Sequence, residues 1–164
     1  MLTYTIGFIQ RGNEILVLNR NFMPMEGCWH GVGGKLLPGE DPIEGMRREI
    51  LEETGIRLDA DQLRFSGIVT WQEGTGTQGM YAFIAEMDEE FRYPTPIGTD
   101  EGILAWKTMD WLCSPDNQGV GEHVKRFLPI MLYDRQIHEF RCAFKANKLT
   151  SFEAMPLYEE ASLT

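Results

Sequence analysis

Basic residues are scarce in this 164-residue chain: 15 Lys and Arg stand against 25 Asp and Glu, a formal charge of −10. Binding to a nucleic-acid backbone runs on Lys and Arg, so polymeric DNA and RNA are excluded as partners. A small phosphorylated ligand stays open, provided that cations bridge the repulsion. Cysteine is scarce as well. Cys28, Cys113 and Cys142 are odd in number and irregularly spaced, which fits neither a disulfide framework nor a zinc pattern. Reduced thiols and a cytoplasmic location are the expectation, with Cys28 read as a small buried apolar residue. Long apolar runs are missing too: the longest, Met80 to Ala85, falls far short of a membrane span. The opening MLTYTIGFIQ has no basic stretch ahead of an apolar one, so no secretory leader is expected. No repeat, low-complexity tract or Gly/Ser linker divides the chain, and one domain over 1–164 is expected.

What the chain does have is an apolar fraction of 43% with nine Phe, enough for a packed core. Leu2 to Gln10 reads as a strand, turns at Arg11-Gly12-Asn13, and is followed by Glu14 to Arg20. The Ile15-Leu16-Val17-Leu18 centre of that second segment predicts a buried strand. A Gly-rich loop over Asn21 to Gly34 is broken by an extended piece at Trp29 to Val32. Leu63 to Gln72 and Gly79 to Met87 are two more strands, joined through Glu73-Gly74-Thr75-Gly76. Ile103 to Lys107 is a short strand, His123 to Tyr133 a helix despite Pro129, and Arg141 to Lys145 with Leu149 to Phe152 a closing hairpin.

The clearest element is a helix over Pro42 to Thr54. Asp41 suits the N-cap, Pro42 the first helical position, Glu44 a capping box with Asp41, and Gly55 the stop. Ile43, Met46 and Ile50 form its apolar stripe, so the domain is α/β with an amphipathic helix on a sheet. Glu49, Glu52 and Glu53 fall at i, i+3 and i+4 and project from one side. Carboxylates crowded in this way raise one another's pKa unless a positive charge sits among them. Arg48, one turn before Glu52, can hold one of them but not all three. Hard divalent cations can: magnesium is held by a few carboxylates together with substrate phosphates. Directly upstream, Gly31-Val32-Gly33-Gly34-Lys35 lets backbone approach a ligand closely.

From Gly34 to Ile56 the chain resembles the Nudix box. Gly34, Glu40, Arg48, Glu49, Ile50, Glu52, Glu53, Gly55 and Ile56 match every defined position of that motif. At residue frequencies of roughly 5–10%, a chance match is on the order of one in ten million. The resemblance implies an α/β/α sandwich around a mixed sheet, and hydrolysis of a nucleoside diphosphate linked to another moiety, with Mg2+ or Mn2+. It also implies metal binding by Glu49, Glu52 and Glu53 with the Gly33 carbonyl, Arg48 as their orienting cation, and Glu40 as a support of the loop. The general base it implies is Glu52 or Glu101.

Trp29-His30-Gly31-Val32-Gly33-Gly34-Lys35 is similar to the Trp-Asn-Gly-x-Gly-Gly-Lys stretch of the branch that hydrolyses oxidised purine nucleoside triphosphates. Two positions depart from it. His30 replaces the asparagine that contacts the base, and Gly121-Glu122-His123 stands where that branch has its paired aspartates. The expected ligand is a small nucleotide, with Phe22, Trp29, His30, Gly34 and Lys35 as its contacts. His30 lies among glycines that cannot easily bury it. Phe22, Met23, Met25, Trp29, Met80 and Tyr81 are each more readily placed in the core. His123 and His138 are expected at the surface.

Overall fold

The structure, a computed structural model, describes residues 2–157. The outermost ends of the domain expected over 1–164 lie outside the described residues. In chain order the elements are β1 (Tyr4–Arg11), β2 (Glu14–Arg20), β3 (Trp29–His30), α1 (Pro42–Thr54), a 3-10 turn at Ala60–Gln62, β4 (Leu63–Glu73) and β5 (Gly76–Met87). They continue with β6 (Ile97–Thr99), β7 (Gly102–Thr108), α2 (Met109–Leu112), α3 (Glu122–Tyr133), β8 (His138–Lys145) and β9 (Lys148–Pro156).

One mixed sheet runs in the order β6-β7-β2-β1-β5-β4-β8-β9, with β3 beside β2. Two of its seams are parallel, β1 with β5 and β4 with β8, and the rest are antiparallel. The central strands are buried on both faces, which is why their sequences read as unbroken apolar runs. Ile15 and Val17 of β2 point into one core with Ile6, Phe8, Phe127 and Phe140. Their neighbours Leu16 and Leu18 point into the other core with Ile9, Met46, Ile50 and Phe83. Helix α3 covers the first face and α1 the second, so the architecture is the expected α/β/α sandwich.

Helix α1 begins where its caps dictate. The Asp41 carboxylate accepts the Ile43 N–H at 2.9 Å, and Gly55 ends the helix at φ 77, a left-handed conformation that favours glycine. The reciprocal half of the expected capping box does not form. Both Glu44 oxygens take the Arg47 guanidinium at 2.9 Å instead. On the packing side Met46 and Ile50 are fully buried, and Gly7 of β1 lies beneath them. A Cβ on Gly7 would come within 2.9 Å of the Met46 sulfur, so this glycine sets how closely the helix approaches the sheet.

Three sequence expectations need correction. His123 and His138 are not at the surface; each is only 6% exposed. His123 lies on the inner face of α3, edge-on to Phe127 and Phe144, and strand β8 begins at His138, three residues before the expected start, which stacks His138 on Phe140. Phe22 and Met23 are not core residues but are 56% and 72% exposed, because the 21–24 segment stands out from the sheet edge. Cys28 is only partly buried, and all three cysteines are free. No helix among the described residues is long and apolar enough to cross a membrane.

Candidate active site

The loop before α1 is stitched into the sheet. Strand β1 pairs with β2 over Ile9 to Arg11, leaving its first half open on that side. The loop fills the gap: Gly7 N–H donates to the Val32 carbonyl (2.7 Å), Val32 N–H to Gly7 (3.0 Å), Thr5 N–H to Gly34 (2.9 Å) and Leu36 N–H to Thr3 (2.8 Å). Gly33 then lies so close to β1 that a Cβ would collide with the Thr5 carbonyl oxygen. At Gly34 the obstacle is a side chain: a Cβ there would stand 2.7 Å from Oε1 of Glu49 and 2.8 Å from Oε2. The glycines are what allow helix carboxylates to lie directly on the loop.

Arg48 organises the acids. Its Nε and Nη2 hold the two oxygens of Glu40 at 2.8 and 2.9 Å, and Nη2 also donates to the Lys35 carbonyl at 3.2 Å. Its Nη1 donates to Glu49 at 3.0 Å and to Glu52 at 3.3 Å. These hydrogen bonds hold the Glu40 carboxyl down at about 2. One guanidinium therefore ties the loop to the helix and fixes two of the three helix carboxylates. Glu53 is placed differently, accepting the Gly33 N–H at 2.9 Å. Burial, then the charge of Glu49, pushes Glu53 up to about 8, and burial also raises Glu49. Glu52 is the outermost of the three, its side chain 59% exposed.

Among the described residues no three His, Cys, Asp or Glu side chains stand close enough to form a ready-made ion cage. Glu49 and Glu52 are drawn towards Arg48, and Glu53 towards the Gly33 amide. In donor chemistry the set nonetheless fits a hard divalent cation. It offers oxygen ligands only, and burial raises two of its carboxyls, Glu49 and Glu53, above the usual glutamate range.

Glu101 lies in the β6–β7 turn, across from this helix, and its charge contributes to the raised Glu53. Arg20 joins the site through register: β2 pairs with β7 so that Arg20 faces Gly102, the residue after Glu101. Its charge reaches both Glu53 and His30. Arg20 also anchors the protruding loop, with Nε donating to the Pro24 carbonyl at 3.0 Å and its backbone pairing with Cys28 and Gly27. Sequence reasoning missed Arg20, since nothing local distinguishes it from any cation at a strand end.

Of the residues expected to contact ligand, His30 is half-buried, with Nδ1–H donating to the Gly31 carbonyl at 3.3 Å. Burial, then the neighbouring His123 and Arg20, lowers it to about 3. Its ring lies 6.0 Å from that of His123, which burial lowers to about 4. Trp29 packs edge-on to Trp111 at 6.1 Å, with the Lys107 ammonium 5.0 Å above its ring. Phe22 and Lys35 are exposed on either side of the loop.

A family model described as the NUDIX domain matches residues 2–127. The chain belongs to the Nudix family. An oxidized purine nucleoside triphosphate hydrolase from Mus musculus is 28% identical over 107 residues, covering 65% of this chain and 66% of that enzyme. An ADP-ribose pyrophosphatase from Methanocaldococcus jannaschii is 42% identical over 50 residues, 30% of each chain. The present chain thus spans just under two thirds of the mouse relative and under a third of the archaeal one. Among solved structures, a mutator MutT protein from Bacillus halodurans has the same Nudix fold at a TM-score of 0.75. Its identity is 22%, with 94% of this chain and 97% of that one covered.

Proposed function

We propose that this Nudix protein hydrolyses a nucleoside triphosphate to the monophosphate and diphosphate, with oxidised purine nucleotides such as 8-oxo-dGTP as substrates and Mg2+ or Mn2+ as cofactor. The observation that carries the reading is the pair of partly buried carboxylates laid on the Gly33–Gly34 backbone, Glu49 held by Arg48 and Glu53 by the Gly33 amide. The mouse relative supports the substrate class. Glu49, Glu52 and Glu53 would hold the ion, joined by the Gly33 carbonyl. Bound there, the ion would supply polarisation of the phosphorus centre and a lower pKa for the attacking water.

The chain's own residues supply position and proton transfer. Arg48 holds Glu49 and Glu52 side by side through one terminal nitrogen. Glu101, which Arg48 does not hold, takes the proton of the attacking water as the phosphoanhydride bond breaks. Glu52, whose carboxylate accepts from Arg48 Nη1 at 3.3 Å, is the alternative base. Arg20, with only its Nε committed among the described residues, offers its terminal nitrogens to the developing negative charge. His30 and its neighbours meet the base.

The test is product release from a panel of 8-oxo-dGTP, dGTP, ATP, ADP-ribose and a dinucleoside polyphosphate, with and without Mg2+. Diphosphate from the triphosphates supports the proposal, and Glu53→Gln should abolish it while leaving the fold intact. Glu101→Gln should lower kcat by roughly 100-fold or more with the metal requirement unchanged. Cleavage of ADP-ribose alone would instead support the second reading, for which the archaeal match speaks. Tight binding without hydrolysis of any member would make the domain a nucleotide sensor.

A further inference from the structure

Helix α1 carries its chemistry at the wrong electrostatic end. The C-terminus of a helix is its negative pole, where cations are favourable and carboxylates are not. Here Glu49, Glu52 and Glu53 occupy the last turn and a half, and no basic residue stands in the last turn. The final carbonyls of a helix also lack partners within it. One side-chain donor, the Tyr93 hydroxyl, comes to them from outside, reaching the Thr54 carbonyl at 2.6 Å. Thr54 is buried and directly follows Glu53.

Tyr93 is itself tightly held. The Trp106 indole N–H donates to its carbonyl at 2.8 Å, and Phe91 stacks on its ring at 5° between planes. The Arg11 guanidinium lies 4.0 Å above the Trp106 ring and donates to the Phe91 carbonyl at 3.0 Å. Trp106 sits on β7, whose first residue, Gly102, follows Glu101. A strut thus runs from the end of α1 through Tyr93 and Trp106 onto the strand that carries Glu101.

We infer that Tyr93 is a positioning residue. Through Thr54 it fixes the last turn of α1, and through Trp106 it references that turn to β7. It thereby sets the gap between the helix carboxylates and Glu101. The inference rests on the metal-dependent hydrolysis proposed above, and its test separates the two. In Tyr93→Phe only the hydroxyl is lost. The expected result is a kcat lower by about tenfold with KM within twofold, and Mn2+ binding, followed by electron paramagnetic resonance, weakened about threefold to tenfold. Phe152→Leu, on the α3 side of the sheet, serves as a control for lost stability. It should lower the melting temperature comparably while leaving kcat and Mn2+ binding at wild-type values. A Tyr93→Phe protein that melts early yet keeps wild-type kcat and Mn2+ affinity would overturn the inference. If wild type cleaves no nucleotide, the functional reading fails, and the Mn2+ measurement alone decides the role of Tyr93.

Discussion

Arg48 grips Glu40 with two parallel hydrogen bonds, Nε to Oε2 at 2.8 Å and Nη2 to Oε1 at 2.9 Å, across eight residues of sequence. The planar fork leaves Nη1 turned towards Glu49 and Glu52, so support of the loop and orientation of the helix acids come from one side chain.

Arg48→Lys should therefore be far from conservative. A lysine keeps the charge but cannot serve Glu40 bidentately and still reach Glu49. The expected loss is about 1–3 kcal/mol of stability in urea unfolding, typical of charge-assisted hydrogen bonds, together with a kcat lower by roughly tenfold or more. Wild-type turnover in this variant would remove Arg48 from the positioning role.

The two loop glycines should fail in different ways. Alanine at Gly33 meets the Thr5 carbonyl, which is backbone and cannot swing aside, so roughly 2–4 kcal/mol of stability should be lost. Alanine at Gly34 meets the movable carboxylate of Glu49, so stability should change by less than about 1 kcal/mol while metal affinity falls severalfold. Melting curves and Mn2+ titrations on both variants distinguish the outcomes. Equal effects on both measurements would contradict this division.

Metal activation should depend on pH through Glu53. Burial and Glu49 hold its proton up to about 8. Below that pH an incoming ion must displace the proton, so the apparent Mg2+ constant should tighten by about tenfold per pH unit between roughly 6 and 7.5. In Glu53→Gln this slope should vanish, along with most of the affinity. A flat profile in wild type would show that Glu53 is not a ligand.

His123 gives a dependence of the same sign, seen in stability. Unfolded, it takes up a proton near 6.5; folded, it resists until about 4. The folded chain binds fewer protons in that window, so this contribution is full above 6.5 and is lost as pH falls towards 4. The difference between wild type and His123→Phe isolates the effect. In urea unfolding the variant should gain roughly 2 kcal/mol on wild type between pH 7 and 4.5. A difference that does not change with pH would place the imidazole in solvent.

Much of this molecule was legible because its decisive signals are local. The caps of α1, its apolar stripe and its acidic side all follow from spacing within 16 residues, from Glu40 to Gly55. The runs of β2 and β5 declared burial on both faces by having no polar alternation. What stayed hidden depends on register between distant segments. Arg20 acquires a role only when β2 aligns with β7 and sets it beside Glu101. Tyr93 matters only because a loop without regular structure crosses the end of α1. The histidines were misplaced for a similar reason. A polar residue at an element's first turn carries no local mark of which way that turn will face. Phe22 erred in reverse, since an aromatic side chain reads as core until a protruding loop carries it outward.

Because residues 31–36 complete the open edge of β1, the loop before α1 does not open independently of the sheet. Its Val32 amide donates to Gly7 of β1, a central strand of the sheet, and its Leu36 amide donates to Thr3 just before that strand. In hydrogen–deuterium exchange these two amides should be protected nearly as long as those of β1, while the 21–27 segment labels early. The working surface of the protein would then be one of the last parts to come apart when it unfolds, and activity should persist until the sheet itself gives way.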